Sequence, residues 1–302
     1  MAEKKTLIAI LGATAVGKTS MAIEIAKALE TEIVSFDSRQ FFKELNIGTA
    51  KPSANELNEV KHHFIDHLSI SEEYNASKFE KEALQFLEQF FKGKDQVVFC
   101  GGSGMYIDAI TSGFDEQLPS ADENIRAELN YQLEEHGITV LQEQLKALDP
   151  EFYQKVDLQN SKRLLRAIEV CLITKKPYSH FRKGLKKTRP FEIIKIGLEL
   201  EREQLYERIN IRVDQMIKDG LLEEVKALTK FKDKNALKTV GYQELFNYLE
   251  GEWDLDFAIE KIKINSRRYA KRQLTWFKKD PEIEWFHPSD KIQIIEYLRK
   301  RI

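Results

Sequence analysis

The sequence predicts an α/β protein, a parallel-sheet core interrupted by a mostly helical insertion. Three observations carry that expectation. The apolar run TLIAIL (6–11) leads into the glycine loop GATAVGKT (12–19) and then into the helical periodicity of SMAIEIAKALE. Two further apolar runs, TEIVSF (31–36) and DQVVFC (95–100), end at the polar turn DSRQ and the glycine turn GGSG. Between about 121 and 185 the strand signal vanishes and helical spacing takes over.

Taken in order, the unbroken apolar run 6–11 suits a strand buried on both faces. TEIVSF is a second strand, ending on Asp37. YNASKFEKEALQFLEQFFKG reads as an amphipathic helix with a glycine stop, and DQVVFC as a third strand. Chemistry in parallel sheets collects at the carboxyl ends of strands, so three loops would meet: Gly12–Thr19, Asp37–Gln40 and Gly101–Gly104. ENIRAELNYQLEEHG, VLQEQLKALDP and NSKRLLRAIEVCLITKK read as the helices of the insertion. FEIIKIGLEL (191–200) returns to the sheet, helices dominate 202–276, and IEWFHP (283–288) is a short edge strand. The expected domains are a core of 1–120 with 186–302, and an insertion of 121–185.

The 302 residues carry a formal net charge of -2, but the charge is unevenly placed. Positions 115–151 hold ten acids and two Lys or Arg. Positions 160–190 hold ten Lys or Arg and one acid, and 261–279 hold eight and none. A polyanion could use the two basic stretches despite the neutral total, although a solvated face would look the same. Cys100 and Cys171 are too few for a disulfide framework or a four-thiolate zinc site. No apolar run approaches membrane-spanning length, and MAEKK runs straight into a strand without a signal-peptide core. A reducing cytoplasm is expected.

Gly12, Gly17, Lys18 and Thr19 satisfy G-x-x-x-x-G-K-[ST], between a strand and a helix as the motif requires. Glycines let the backbone N–H groups of Ala13, Thr14, Ala15 and Val16 converge on phosphate oxygens, and the following helix adds its positive end. Lys18 supplies a point charge to the terminal phosphates, and Thr19 can hold Mg²⁺ through its hydroxyl. The loop names a ligand class, not a reaction. Asp37 could be a Mg²⁺ ligand, a loop cap with Ser38, or a base that activates an acceptor amine beside an alkyl diphosphate. Asp66 is a weaker candidate for that base. The histidines around it, His62, His63 and His67, are expected to order a loop rather than bind metal.

GATAVGKT, DSRQ, NIGTAKPS, HHFIDHL, GGSGMY, RLLRAIEV, GLLEEV, TVGYQEL and KRQLTWF occur together and in this order, from residue 7 to about 286. The chain thereby resembles the bacterial tRNA dimethylallyltransferase family. The resemblance implies a P-loop NTPase-like fold that does not hydrolyse ATP. It implies transfer of a dimethylallyl group, from dimethylallyl diphosphate with Mg²⁺, to N6 of the adenine just 3′ of the anticodon in tRNAs that read codons beginning with U. On the same basis Asp37 is the general base, and Ser38, Arg39 and Gln40 contact the target base and its neighbours. Lys18 neutralises the leaving group, Thr19 binds diphosphate and metal, and Arg212 clamps diphosphate from the far side, with Arg208 in reserve. Ala13, Phe42, Ser103 and Gly104 depart from the residues common in the family; Phe42 loses a tyrosine hydroxyl, but none of these changes removes an ionisable group from the expected reaction.

An RNA substrate would give both basic stretches a role, with the insertion touching the anticodon stem-loop. Lys162, Arg163 and Arg166 lie on nearby helical faces, and Arg267, Arg268, Lys271 and Arg272 pair four apart. Gly102 and Ser103 leave room for backbone or base, and Gly241, Tyr242 and Gln243 would build a channel wall. Trp276 and Phe277 read as core. A monomer without an obligate protein partner or membrane is expected. Two rivals share the loop, a nucleotide or small-molecule kinase using ATP and a non-catalytic RNA-binding protein. DSRQ with IGTAKP and the basic C-terminal helix argue against the first; intact Lys18, Thr19 and Asp37 argue against the second.

Overall fold

In the computed structural model, residues 4–113, 118–182 and 187–302 are described. They form two compact units, one of residues 1–111 with 188–302 and one of residues 112–187.

The larger unit is built on six strands: β1 (Thr6–Gly12), β2 (Ile33–Ser35), β3 (His62–His63), β4 (Gln96–Cys100), β5 (Glu192–Leu198) and β6 (Ile283–Phe286). Their order is β3-β2-β4-β1-β5-β6 and every pairing is parallel. β1 sits between β4 and β5 and is buried along its whole length, which explains its unbroken apolar run. The register places Ile10 opposite Cys100, Cys100 opposite Ser35, and Gly12 opposite Leu198. The loops after β1, β2 and β4 therefore leave the same rim of the sheet from neighbouring strands. The two-residue strand β3 was not expected. Its pairing to β2 comes from backbone register, and HHFIDHL has too few apolar positions to show a period.

Helices α1 (Lys18–Ala28), α2 (Ala54–Glu59), α3 (Ala76–Phe90) and α4 (Gly104–Thr111) connect the first strands. Asn75 caps α3 by accepting from the Ser77 and Lys78 amides, and Ser53 with Glu56 makes a capping box on α2. One core cluster joins Ile8 and Ile10 of β1 to Met21, Ile25, Ile196 and Leu198. Burying each such side chain contributes roughly 1.5–3 kcal/mol.

The second unit contains α5 (Glu123–His136), α6 (Ile138–Leu148), α7 (Pro150–Tyr153) and α8 (Ser161–Thr174). They pack around Leu129, Leu141, Leu145, Leu164 and Ile168. The Glu169 carboxylate is fully buried there, and Arg126 and Arg166 both reach it. Back in the larger unit follow α9 (Arg202–Lys218), α10 (Leu221–Ala227), α11 (Tyr242–Leu249), α12 (Leu255–Phe277) and α13 (Lys291–Arg299). No helix among the described residues is long and apolar enough to cross a membrane.

Candidate active site

The phosphate loop shows why its glycines are needed. Gly12 has φ +142, and a Cβ there would stand 2.6 Å from the Leu198 carbonyl oxygen. Gly17 caps α1 in the left-handed region at φ 108, and Ala15 also has positive φ. The loop turns back over the start of α1, whose N-terminus carries unpaired amides and the positive end of the helix dipole. Lys18 is folded across the loop and donates to the Ala13 carbonyl at 2.7 Å. Burial pushes its ammonium down to about 8, partly offset by Cys100 and Asp37, with Arg212 adding to the fall. The buried Cys100 thiol is pushed up to about 12, so it is a neutral neighbour.

Asp37 emerges at the end of β2, and the loop around it is pinned from several sides. Its Oδ1 accepts from the Arg39 amide at 3.0 Å, and it forms no ion pair among the described residues. The Ser38 amide donates to Ser103 Oγ at 3.2 Å, which ties the DSRQ turn to the glycine turn after β4. Gln40 corrects the expectation of a base-reading amide. Its Nε2 donates to the carbonyls of Thr49 (3.3 Å) and Ala50 (3.1 Å), and its Oε1 accepts from Ser35. These three hydrogen bonds brace the loop. Asp66 is ion-paired with Lys51 and is no candidate for a free base. His63 likewise spends its Nε2 on Glu32 at 2.5 Å.

Asp37, Ser38 and Arg39 open onto a cavity of about 390 Å³, with Thr14 and Ala15 of the phosphate loop at its edge. Arg212 lines the cavity from α9, and Arg272 and Tyr269 line it from α12. Burial lowers both Arg39 and Arg212 from the usual guanidinium range, and Asp37 pulls in the opposite direction in each case. Both stay cationic, since a guanidinium does not deprotonate in proteins. Among the described residues neither side chain forms an ion pair or hydrogen bond. Arg208 is exposed and reaches only the Val16 carbonyl, at 3.4 Å. The apolar wall that sequence reasoning did not locate is made of Ile209, Val213, Met216, Leu221, Val240 and Ile262. These come from α9, α10, α12 and a loop, so no single stretch of sequence displays them together.

Several expected RNA contacts are occupied elsewhere. Tyr242 is completely buried, and its hydroxyl donates to Glu224 at 2.6 Å. The Glu224 carboxylate also accepts from the amides of Asn46, Ile47 and Gly48, so Tyr242 supports the cavity wall from behind. A Cβ on Gly48 would lie 2.5 Å from the Tyr242 ring. Gly241 and the exposed Gln243 do line the cavity. Arg267 donates to Asn210 at 2.6 Å and lies over Tyr206, whereas Arg268, Lys271 and Arg272 are exposed. In the other unit, Arg166 binds Glu169 and the Pro119 carbonyl, while Lys162 and Arg163 are exposed. Gly102 is buried against Gln273, and Ser103 serves the Ser38 turn. Phe277 is core as expected, but Trp276 is 40% exposed, with its indole donating to Asp108 at 2.9 Å.

Comparison with known proteins agrees with this geometry. Residues 40–280 match the profile of the IPP transferase family. The chain is similar to a tRNA dimethylallyltransferase of Flavobacterium johnsoniae, 52% identical over 97% of each chain. It is also similar to tRNA dimethylallyltransferase 1 of Bacteroides thetaiotaomicron, 49% identical over 97% of this chain and 95% of the relative. Among solved structures, a full-length tRNA isopentenylpyrophosphate transferase from Bacillus halodurans superposes with TM-score 0.73 at 35% identity, covering 98% of this chain and 96% of that one. A eukaryotic dimethylallyltransferase acting on tRNA superposes with TM-score 0.78 at 27% identity, covering 94% of this chain and 74% of that one.

Proposed function

This chain belongs to the IPP transferase family, and on that basis we propose that it moves a dimethylallyl group from dimethylallyl diphosphate to N6 of the adenosine 3′-adjacent to the anticodon, in tRNAs that read codons beginning with U. One observation carries the reading. A single carboxylate, Asp37, shares a cavity with the phosphate loop, with unpaired cations and with an apolar wall. A volume of about 390 Å³ suits a small ligand held with a base edge.

In this mechanism the phosphate loop and Lys18 hold the diphosphate, and Arg212 faces it across the cavity. Breaking the bond between C1 and the bridging oxygen puts negative charge on diphosphate, where these groups are already fixed and dry. The N6 amine attacks C1, and its proton passes to Asp37, whose orientation the Arg39 amide fixes. The apolar wall takes the five-carbon tail and excludes water from the allylic centre. Arg39 and Arg272 hold the extruded nucleotide, since such a base must leave its stack to be reached. The donor set fits Mg²⁺. The Thr19 hydroxyl and diphosphate oxygens are hard ligands, and this ion commonly binds through few protein groups with substrate phosphates and water. When bound it would neutralise leaving-group charge. Lys162 and Arg163 of the helical unit, with Arg268 and Lys271, would meet the RNA backbone. A tRNA substrate and free thiols suit a protein working in the reducing cytoplasm.

The test is product mass after incubation with dimethylallyl diphosphate, Mg²⁺ and a transcribed anticodon stem-loop. The expected product is the stem-loop with one hydrogen replaced by a dimethylallyl group. An unmodified stem-loop would reject the proposal, and ADP formed from ATP would support a kinase. Asp37→Ala should bind the stem-loop normally and lose transfer by about 10²- to 10⁴-fold. Normal single-turnover transfer by that variant would remove Asp37 as the base.

A further inference from the structure

Helix α12 presents Ile262, Ser266 and Tyr269 to the cavity, a spacing that keeps them on one face. The next position on that face is Gln273, which lies outside the cavity lining. Its side chain is buried and turns into the protein, where it makes two hydrogen bonds to the turns and also acts on the neighbouring Tyr269 hydroxyl. Oε1 accepts from the Thr14 amide of the phosphate loop at 2.8 Å, so this amide, expected to face phosphate, is instead held by α12. Nε2 donates to the Gly102 carbonyl at 2.8 Å. One amide thus spans the turn after β1 and the turn after β4, and it does so from the helix that carries Tyr269, Arg272 and the exposed Arg268 and Lys271.

The surroundings are shaped for this contact. A Cβ on Gly102 would stand 2.2 Å from Gln273 Nε2, with Lys18 Nζ 3.8 Å away. Gly102 has no positive φ in this structure, so its lack of a side chain answers to Gln273 rather than to backbone strain. One turn further along, Trp276 closes over Gly104 and bonds Asp108, so the same end of α12 is fastened to the glycine turn through Gln273 and to α4 through Trp276. Thr14 and Ala15 form the phosphate-loop edge of the cavity. The Gln273 amide therefore bears on the loop segment that would meet the leaving group.

We propose that Gln273 is the positioning residue that holds the phosphate loop in register with the RNA-facing helix α12, so that diphosphate and acceptor base meet at a fixed separation. This rests on the transferase reading above. Gln273 touches neither substrate; it acts through Thr14 and Gly102. An amide is suited to the task because it donates and accepts at once in a fixed plane. Removing it leaves a loop amide and a glycine carbonyl without their partner, and the two turns lose the tie that joins them through α12.

The experiment is a double-mutant cycle with Gln273→Met, which deletes both hydrogen bonds, and Gly102→Ala, whose methyl displaces the same amide from the other side. Three quantities are read for each protein: affinity for inorganic pyrophosphate with Mg²⁺, kcat for transfer to the stem-loop, and stem-loop affinity. Each single variant should lose about tenfold or more in the first two, as expected for misplacement on the ångström scale, with stem-loop affinity near wild type. The double variant should be no worse than Gln273→Met alone, because Gly102→Ala acts by displacing an amide that Gln273→Met has already removed. Wild-type pyrophosphate affinity and kcat in Gln273→Met would overturn the proposal. Multiplying losses in the double variant, or equal losses in stem-loop affinity, would do so too. If Gln273→Met does not fold, Gly102→Ala carries the same comparison. A wild-type protein that transfers nothing would count against the transferase reading alone, since the pyrophosphate titrations still decide the role of Gln273.

Discussion

Lys18 in the phosphate loop with Arg39 and Arg212 at the cavity, and Arg126 and Arg166 in the helical unit, are cations placed under opposite terms. The first three form no ion pair among the described residues and are lowered from their usual range by burial. The last two converge on one buried carboxylate, that of Glu169, at 2.8 and 2.6 Å. Three cations facing the one carboxylate of Asp37 are not matched in charge, and holding them there costs folding free energy, so their retention points to an anionic ligand. A charge already matched in the fold has nothing left to offer an anion. Counting Lys and Arg along the chain treats both sets alike; only their neighbours separate them.

The largest expected effect is at Arg212. Replacing it with Gln should lower transfer by about 10²- to 10³-fold, the range for losing a preorganised donor to developing negative charge. The unfolding midpoint should hold or rise, because the half-buried Arg212 forms no ion pair or hydrogen bond among the described residues. A midpoint that falls in step with activity would place Arg212 among the structural cations. Arg166→Ala should do the reverse. It should destabilise the protein by about 2 kcal/mol in denaturant titrations, below the range for a wholly buried pair because Arg126 remains. Transfer per folded molecule should change little.

The same pair makes a pH prediction. Burial alone would raise the Glu169 carboxyl, but hydrogen bonds from Arg166 and Arg126 outweigh it and hold the group below the ordinary range. A depressed carboxylate contributes stability that is complete above its unfolded value and lost as pH falls through the folded one. Acid unfolding should therefore begin at higher pH in Arg166→Ala than in wild type, and coincident acid limbs would break the contrast. Lys18 titrates in the other direction. With its ammonium near 8 in the free protein, raising pH through that value should weaken pyrophosphate binding by up to about tenfold per unit. Lys18→Arg should be flatter over pH 7 to 9, and matching slopes would remove Lys18 from the anion site.

The smallest effect is expected at the exposed cations. Lys162→Ala combined with Arg163→Ala should weaken stem-loop binding modestly and reduce its salt slope by about 2. An unchanged slope would take the helical unit out of the RNA footprint and leave the contact to Arg268 and Lys271 on α12.

Much of this was determined by local sequence. The strand, glycine loop and helix of residues 6–28, the strand end at Asp37 and the glycine turn after β4 are short-range features. Alternation, glycine placement and a charged turn residue reveal them, because neighbours in sequence decide their backbone. Family motifs extended that reading to Arg212 on α9. What remained hidden depended on which distant groups met. Gln40 and Tyr242 look like recognition residues in their motifs, yet one is consumed by Thr49 and Ala50 and the other by Glu224. Gln273 looked like one polar residue in a basic helix, and it proved to be the tie between two loops more than a hundred residues away. The apolar wall drew single residues from separate helices. A side chain's type fixes what it can donate or accept, but the partner that satisfies it is chosen by packing, and that choice is made only when the chain is folded.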